Sequence, residues 1–164
     1  MGEHEVIAQM EALKAEFRAP GRRAQLIQRA EATLSEANPS DLDKLEAVKL
    51  AWALLEDEQF DAASTLYERL RALSPTEAYY WTACGACRLG QGRLEEAVDL
   101  LSQAIAKNPG DGTALINRGE ALLRLDRRDD ALADFKRAIE LAPSRDHPDI
   151  ELAVRMVVAL TPPE

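Results

Sequence analysis

The chain has 164 residues, 46% hydrophobic and 30% charged, with a formal charge of −9. That length allows a substantial core, while the acidic balance argues against nucleic acid, which calls for a basic stripe, and against adsorption to anionic membranes. No apolar run approaches the ~18 residues of a bilayer span, and the opening MGEHEVIAQM has neither the basic nor the apolar region of a secretory signal. Val6 stands where a myristoylation signal wants Ser or Thr. Two cysteines and no export signal point to a reducing, cytoplasmic setting.

Glu3 to Arg18 reads as a helix, with Val6, Ile7, Met10, Leu13 and Phe17 forming one apolar stripe. Ala19-Pro20-Gly21 breaks it. Arg22 to Ala37 reads as a second amphipathic helix, with Leu26, Ile27, Ala30 and Leu34 on one side. Residues 1–39 are thus expected to be a helical extension that caps or dimerises the remainder of the chain. Asn38-Pro39-Ser40 closes it, and Ser40 with Asp43 has the pattern of a capping box for the next helix.

From there a register of 34 residues takes over. Pro75, Pro109 and Pro143 share it, as do Ala63, Ala97 and Ala131. So do Ala51, Gly85 and Gly119; Tyr67, Leu101 and Phe135; and Leu70, Ala104 and Ala138. A period of about 34 residues is the signature of the tetratricopeptide repeat (TPR), a helix–turn–helix unit, and from Lys44 to Pro143 the chain resembles that family. The expected fold is all-α, a solenoid of three TPRs over 40–143 (44–77, 78–111 and 112–143). Turns between paired helices fall at Glu56–Phe60, Gly90–Leu94 and Arg124–Arg128. Small residues are expected where paired helices cross closely, with the large ones filling the space beside them. A last helix after His147-Pro148 runs to about Leu160, with Ala153 one period beyond Gly119, so 144–164 is expected to be a C-terminal cap. Arg145, Asp146, Asp149, Glu151 and Arg155 give it a wet face, as the end of a stacked array needs. Thr161 to Glu164 read as a frayed tail.

No catalytic residue, metal site or cofactor is expected. Cys84-Gly85-Ala86-Cys87 has the spacing of a redox dithiol, but it falls inside a helical repeat, where cysteine packs as a small hydrophobe. Zinc would need four ligands, and His4 and His147 lie at opposite ends of the chain. His147-Pro148-Asp149 spells the tripeptide of J-domain co-chaperones, yet its place at the start of the last helix suits capping. Glu95-Glu96 and Asp129-Asp130 open second helices and suit their dipoles.

The TPR resemblance implies a concave groove lined by the first helix of each repeat. It implies groove residues Leu45, Val48, Trp52 and Leu55 in the first repeat, and Tyr79, Thr82, Ala86 and Leu89 in the second. The third offers Thr113, Ile116, Glu120 and Leu123, with Asn117 available to bond a client backbone. Trp52 and Tyr79 are the natural anchors. Trp52 stands either open to a partner or covered by the N-terminal helices or a second copy. The carboxylate clamp of TPR co-chaperones does not fit: Val48 and Trp52 stand where it has Lys and Asn, and Ala83 where it has another Asn.

The second repeat, with Tyr79-Tyr80-Trp81 followed by Gly85-Ala86-Cys87-Arg88, resembles the class II translocator chaperones of type III secretion systems. That resemblance implies a cytoplasmic, homodimeric chaperone holding an extended hydrophobic segment of a translocator. The alternative is a TPR scaffold joining folded subunits of a larger assembly.

Overall fold

The computed structural model describes residues 8, 11, 12, 15, 16, 19, 21–142 and 148–161, with backbone alone for Pro148 and Asp149. Residues 8, 11, 12, 15 and 16 are helical. The helices with defined bounds are α1 (Arg22–Leu34), α2 (Asp41–Glu56), α3 (Phe60–Leu73), α4 (Ala78–Gly90), α5 (Leu94–Lys107), α6 (Gly112–Arg124), α7 (Arg128–Leu141) and α8 (Pro148–Leu160). Among the described residues there is no strand, and no helix is long and apolar enough to cross a membrane. The chain divides into two compact units, Met1–Ser74 and Pro75–Glu164.

In the first unit Gly21, at φ 77, turns the chain into α1. The expected helix to Ala37 stops three residues short, at Leu34. The last turn tightens there, Ser35 N donating to Ala32 O and Glu36 N to Thr33 O, because Asn38 precedes a proline and is steered away from helix. The expected capping box starts α2: Asp43 N donates to Ser40 Oγ at 3.1 Å, and Ser40 N donates to Asp43 Oδ2 at 3.1 Å. Although α1 matches none of the repeat columns, it packs against both α2 and α3. Two bonds tie residues one repeat apart, Arg23 Nη2 to Asp57 Oδ2 at 2.9 Å and Arg69 Nη1 to Ser35 Oγ at 2.6 Å. The apolar stripe Val6, Ile7, Met10, Leu13 and Phe17 lies outside the described residues.

Each paired-helix turn closes in the same way. Gln59, Arg93 and Arg127 donate backbone N–H to the carbonyls of Leu54, Arg88 and Leu122, while Glu58, Gly92 and Asp126 donate to Leu55, Leu89 and Leu123. This 6→1 and 5→2 pairing is the Schellman motif, which puts the residue after the C-cap in the left-handed region. The three are Glu58 at φ 57, Gly92 at φ 74 and Asp126 at φ 59, all in one column of the 34-residue register. Only Gly92 is free of the Cβ penalty there. Glu58→Gly is therefore expected to raise stability by about 0.5–1 kcal/mol and the melting temperature by about 1–4 °C. A thermal melt showing no rise would refute the assignment of strain to that turn.

In the second unit, α4 pairs with α5, α6 with α7, and α8 lies against α7 and α6. The glycine columns explain the pairing. A Cβ on Gly85 would sit 2.5 Å from Leu101 Cγ, and one on Gly119 would sit 2.9 Å from Phe135 Cε1. Mid-helix glycine costs about 1 kcal/mol against alanine, and here it lets the larger residue sixteen positions on press against the backbone. Leu101, Phe135, Ala97, Ala131, Ala104 and Ala138 are all buried. Cys84 and Cys87 are 1% and 0% exposed, inside this packing. The acidic pairs sit in the first turns of α5 and α7 as expected. Pro148 opens α8, while Pro143 to His147 lie outside the described residues.

Candidate binding surface

The residues in question lie on α2 in the first unit and, separately, on α4 and α6 in the second. On α2, Leu45 is 42% exposed, and Val48, Trp52 and Leu55 are half-buried. Their spacing of three and four puts them on one side of the helix. The opposite side of α2, with Asp43, Ala47 and Leu50, faces Leu26, Ala30 and Thr33 of α1 across a cleft of about 420 Å³ that Ala12 and Glu16 also line. At 3.6 residues per turn these two sets lie on opposite sides of α2. Ala12, Glu16 and α1 thus sit away from the Leu45–Leu55 stripe.

On α4, Tyr79 is 46% exposed and stands edge-on to Tyr80 at 5.7 Å between ring centroids. Burial, with the nearby Glu77 carboxylate and Tyr79, pushes the Tyr80 phenol above its usual range, so it stays neutral. Trp81 is held in place: its Nε1 donates to Pro75 O at 3.0 Å, and Lys107 Nζ lies 5.0 Å from its ring. Ala86, Asn117, Glu120 and Leu123 are half-buried, and Thr113 is exposed.

Three of the expected groove residues are placed differently. Thr82, Leu89 and Ile116 are 6%, 7% and 5% exposed. Neighbouring first helices α4 and α6 pack side by side, which covers Thr82 and Leu89, while Ile116 packs in the cluster that joins α6 to α7 and α8. Leu89 and Ile116 belong to hydrophobic clusters. The Thr82 hydroxyl donates to Asp111 Oδ2 at 2.7 Å, while Asp111 Oδ1 accepts from Ala114 N at 3.0 Å as the cap of α6. These residues set the spacing of the helices beneath the surface.

Arg88, singled out in the sequence, is mostly enclosed. Its Nη1 donates to Gln91 Oε1 at 2.8 Å and its Nε lies 3.3 Å from Glu96 Oε2, joining α4 to α5. Arg124 Nη1 donates to Leu89 O at 3.0 Å, supplying a partner at the C-terminal end of α4. Arg118 belongs to no motif that would mark it in the sequence. It donates from Nε and Nη2 to the two oxygens of buried Asp134 at 2.7 Å each, and from Nη1 to Ser102 Oγ at 3.0 Å. The hydrogen bonds to Asp134, with the charges of Asp134 and Asp130, raise the Arg118 pKa above its usual value against the opposing effect of burial. The available signal was the spacing: Arg118 and Asp134 are sixteen apart, like Gly119 and Phe135. The cleft beside α1 was also not foreseen, because it needs two segments that share no repeat column. Among the described residues no group of His, Cys, Asp and Glu could hold a metal ion.

The family model for the tetratricopeptide repeat matches twice, over residues 48–111 and 88–146. The chain belongs to the tetratricopeptide-repeat family. TPR units are protein-interaction modules, and the exposed side chains of α2, α4 and α6 lie on their first helices. A 61-residue stretch is 41% identical to the Hsp70-Hsp90 organizing protein of Triticum aestivum, covering 37% of this chain and 10% of that protein. Among solved structures, PcrH of Pseudomonas aeruginosa in complex with the chaperone binding region of PopD has a TM-score of 0.68 at 23% identity, over 76% of this chain and 96% of that one. The Yersinia enterocolitica type III secretion chaperone SycD in complex with a peptide of the translocator YopD has a TM-score of 0.66 at 18% identity, over 74% and 94%. At these identities the likeness is one of fold.

Proposed function

We propose that this TPR protein is a non-catalytic chaperone that holds an extended, apolar segment of a client protein, the client being a translocator of a type III secretion system. The reading rests on the exposed apolar side chains of the first helices, Leu45 and Tyr79 above all, with Val48, Trp52 and Leu55 beside Leu45. An accessible aromatic anchor is a usual core of a binding hot spot, and exposed aliphatic side chains mark an apolar patch that suits a partner. Two chaperones of similar fold are seen with client peptides, and the Gly85-Ala86-Cys87-Arg88 stretch adds to the resemblance. In this reading Ala86, Asn117 and Leu123 complete the contacts, Asn117 bonding the client backbone. Thr82, Leu89 and Ile116 support them from below. Residues 1–39 form the extension, 40–143 the three repeats and 144–164 the C-terminal part. The N-terminal helices form a homodimer in the cytoplasm, without a cofactor.

The similarity to the wheat organizing protein favours a second reading, a TPR adaptor that joins folded proteins. Co-expression with a hydrophobic translocator separates the two. Under the chaperone reading, replacing both Trp52 and Tyr79 by alanine lowers client affinity by at least about a hundredfold and leaves the client insoluble, with the helical circular dichroism unchanged. Full client retention by the double variant, or recovery of folded assembly components alone, would favour the adaptor.

A further inference from the structure

The outward stripe of α6 is polar. Thr113, Asn117, Glu120 and Arg124, spaced four, three and four, share one side of the helix. Asn117 and Glu120 are half-buried. A glutamate with an arginine four residues on is a pairing that helical spacing favours, and here it is forgone. Arg124 Nη1 donates instead to Leu89 O at 3.0 Å, at the C-terminal end of α4. Arg118, two residues before Glu120, is committed to Asp134 and Ser102. Among the described residues neither Glu120 nor Asn117 has a side-chain hydrogen bond or ion pair. The neighbouring helix supplies no charge either. α4 and α6 pack side by side, with Ala86 one register step before Glu120 and Gly90 one before Arg124. The Arg124–Leu89 bond shows that the helices are one side chain apart at that level. Ala86 brings a methyl group and Gly90 no side chain, while Arg88 of α4 is taken by Gln91 and Glu96.

We infer that Glu120 is a specificity-determining residue of the client site, and that it selects an apolar segment carrying one lysine or arginine where the segment crosses from α4 to α6. This rests on the chaperone reading, in which Ala86, Asn117 and Leu123 touch the client. Glu120 lies between Asn117 and Leu123 on the same helix, so a segment that touches both covers it. A carboxylate covered by an apolar side chain loses its water and gains no partner. That penalty works against a client with a purely apolar residue at this place, which is the repulsive half of specificity. A basic side chain supplies both the missing charge and the missing donors. The formal charge of −9 adds long-range attraction for the same sign. It also disfavours an acidic segment, or a second copy of this acidic chain, as the occupant. The Asn117 amide, donor and acceptor in one group, bonds the backbone of the same stretch.

The test selects short random peptides displayed on phage against the full-length protein and, in parallel, against Glu120→Gln and Glu120→Lys. The unaltered protein is expected to retain apolar peptides with one lysine or arginine at a fixed distance from the apolar positions. A synthetic peptide of that consensus, followed by fluorescence anisotropy, is expected to bind Glu120→Gln about tenfold more weakly. The same peptide with its basic residue changed to glutamine should bind both proteins alike, as a double-mutant cycle requires of a direct pair. Glu120→Lys should reverse the preference and retain peptides with aspartate or glutamate at that place. Equal affinity of the consensus peptide for the unaltered protein and Glu120→Gln, or the same basic consensus retained by Glu120→Lys, would overturn the role of Glu120 and leave the chaperone reading standing. So would a consensus of apolar residues alone. No peptide retained by any of the three proteins would overturn both.

Discussion

Replacing Arg118 by alanine is expected to destabilise the second unit by about 3–5 kcal/mol. The guanidinium donates twice to Asp134, whose side chain is only 8% exposed, and once to Ser102, so one side chain on α6 joins α5 and α7. Removing it leaves the Asp134 carboxylate enclosed with its charge uncompensated, and that desolvation dominates the loss. Asp134→Ala should cost a similar amount, since it strands the arginine. The double change Arg118→Met with Asp134→Leu should recover much of the deficit, because a buried ion pair often does no better than apolar side chains of like volume. The contrast is Arg127→Ala. Its partner Asp130 is 57% exposed and Arg127 itself 53%, so that loss should stay within about 0.5 kcal/mol. Urea titrations followed by circular dichroism give all four values. Equal midpoints for Arg118→Ala and Arg127→Ala would remove the three-helix tie as an account of stability. Hydrogen exchange should place the loosening in α5, α6 and α7, since repeat arrays open locally.

Phe135→Ala is the second large effect, at about 3–5 kcal/mol. Its ring is 1% exposed and lies against the backbone at Gly119. The informative experiment is a double-mutant cycle. Alone, Gly119→Ala should cost about 1–2 kcal/mol, because its Cβ would lie 2.9 Å from Phe135 Cε1. In the Phe135→Ala background the clash is gone and alanine is the better helix former by about 1 kcal/mol. The same substitution should then stabilise. A cost of the same sign and size in both backgrounds would mean that the two positions do not meet. The pair also shows why the register has a small column and a large one sixteen residues apart: each is the other's packing partner.

The repeat register was legible because the same packing problem is solved three times. Gly85 and Gly119 face Leu101 and Phe135, Ala51 and Tyr67 hold the same two columns and are both buried, and recurrence separates that signal from chance. Helix ends were legible where backbone chemistry sets them, as at the Ser40–Asp43 box and the three paired-helix turns. The end of α1 was less so, since the tightening at Ser35 depends on local hydrogen bonds that no periodicity records. The surface was read in outline. The positions of Leu45, Trp52 and Tyr79 on first helices follow from register, but register does not say how much of each side chain a neighbouring helix covers. Thr82, Leu89 and Ile116 were expected at the surface and lie beneath it, the first two where α4 meets α6 and Ile116 in the cluster that joins α6 to α7 and α8.

The sequence by itself determined the helical class, the repeat length, the hairpin turns and the packing role of Cys84 and Cys87. Those properties come from local chain chemistry and from a pattern that repeats in one dimension. Tertiary structure alone decided which side chains remain accessible, that Arg118 is committed to Asp134, and that α1 packs on both helices of the first repeat. Each of these depends on the distance and rotation between helices far apart in the chain, and those are set by the volumes of side chains meeting across an interface.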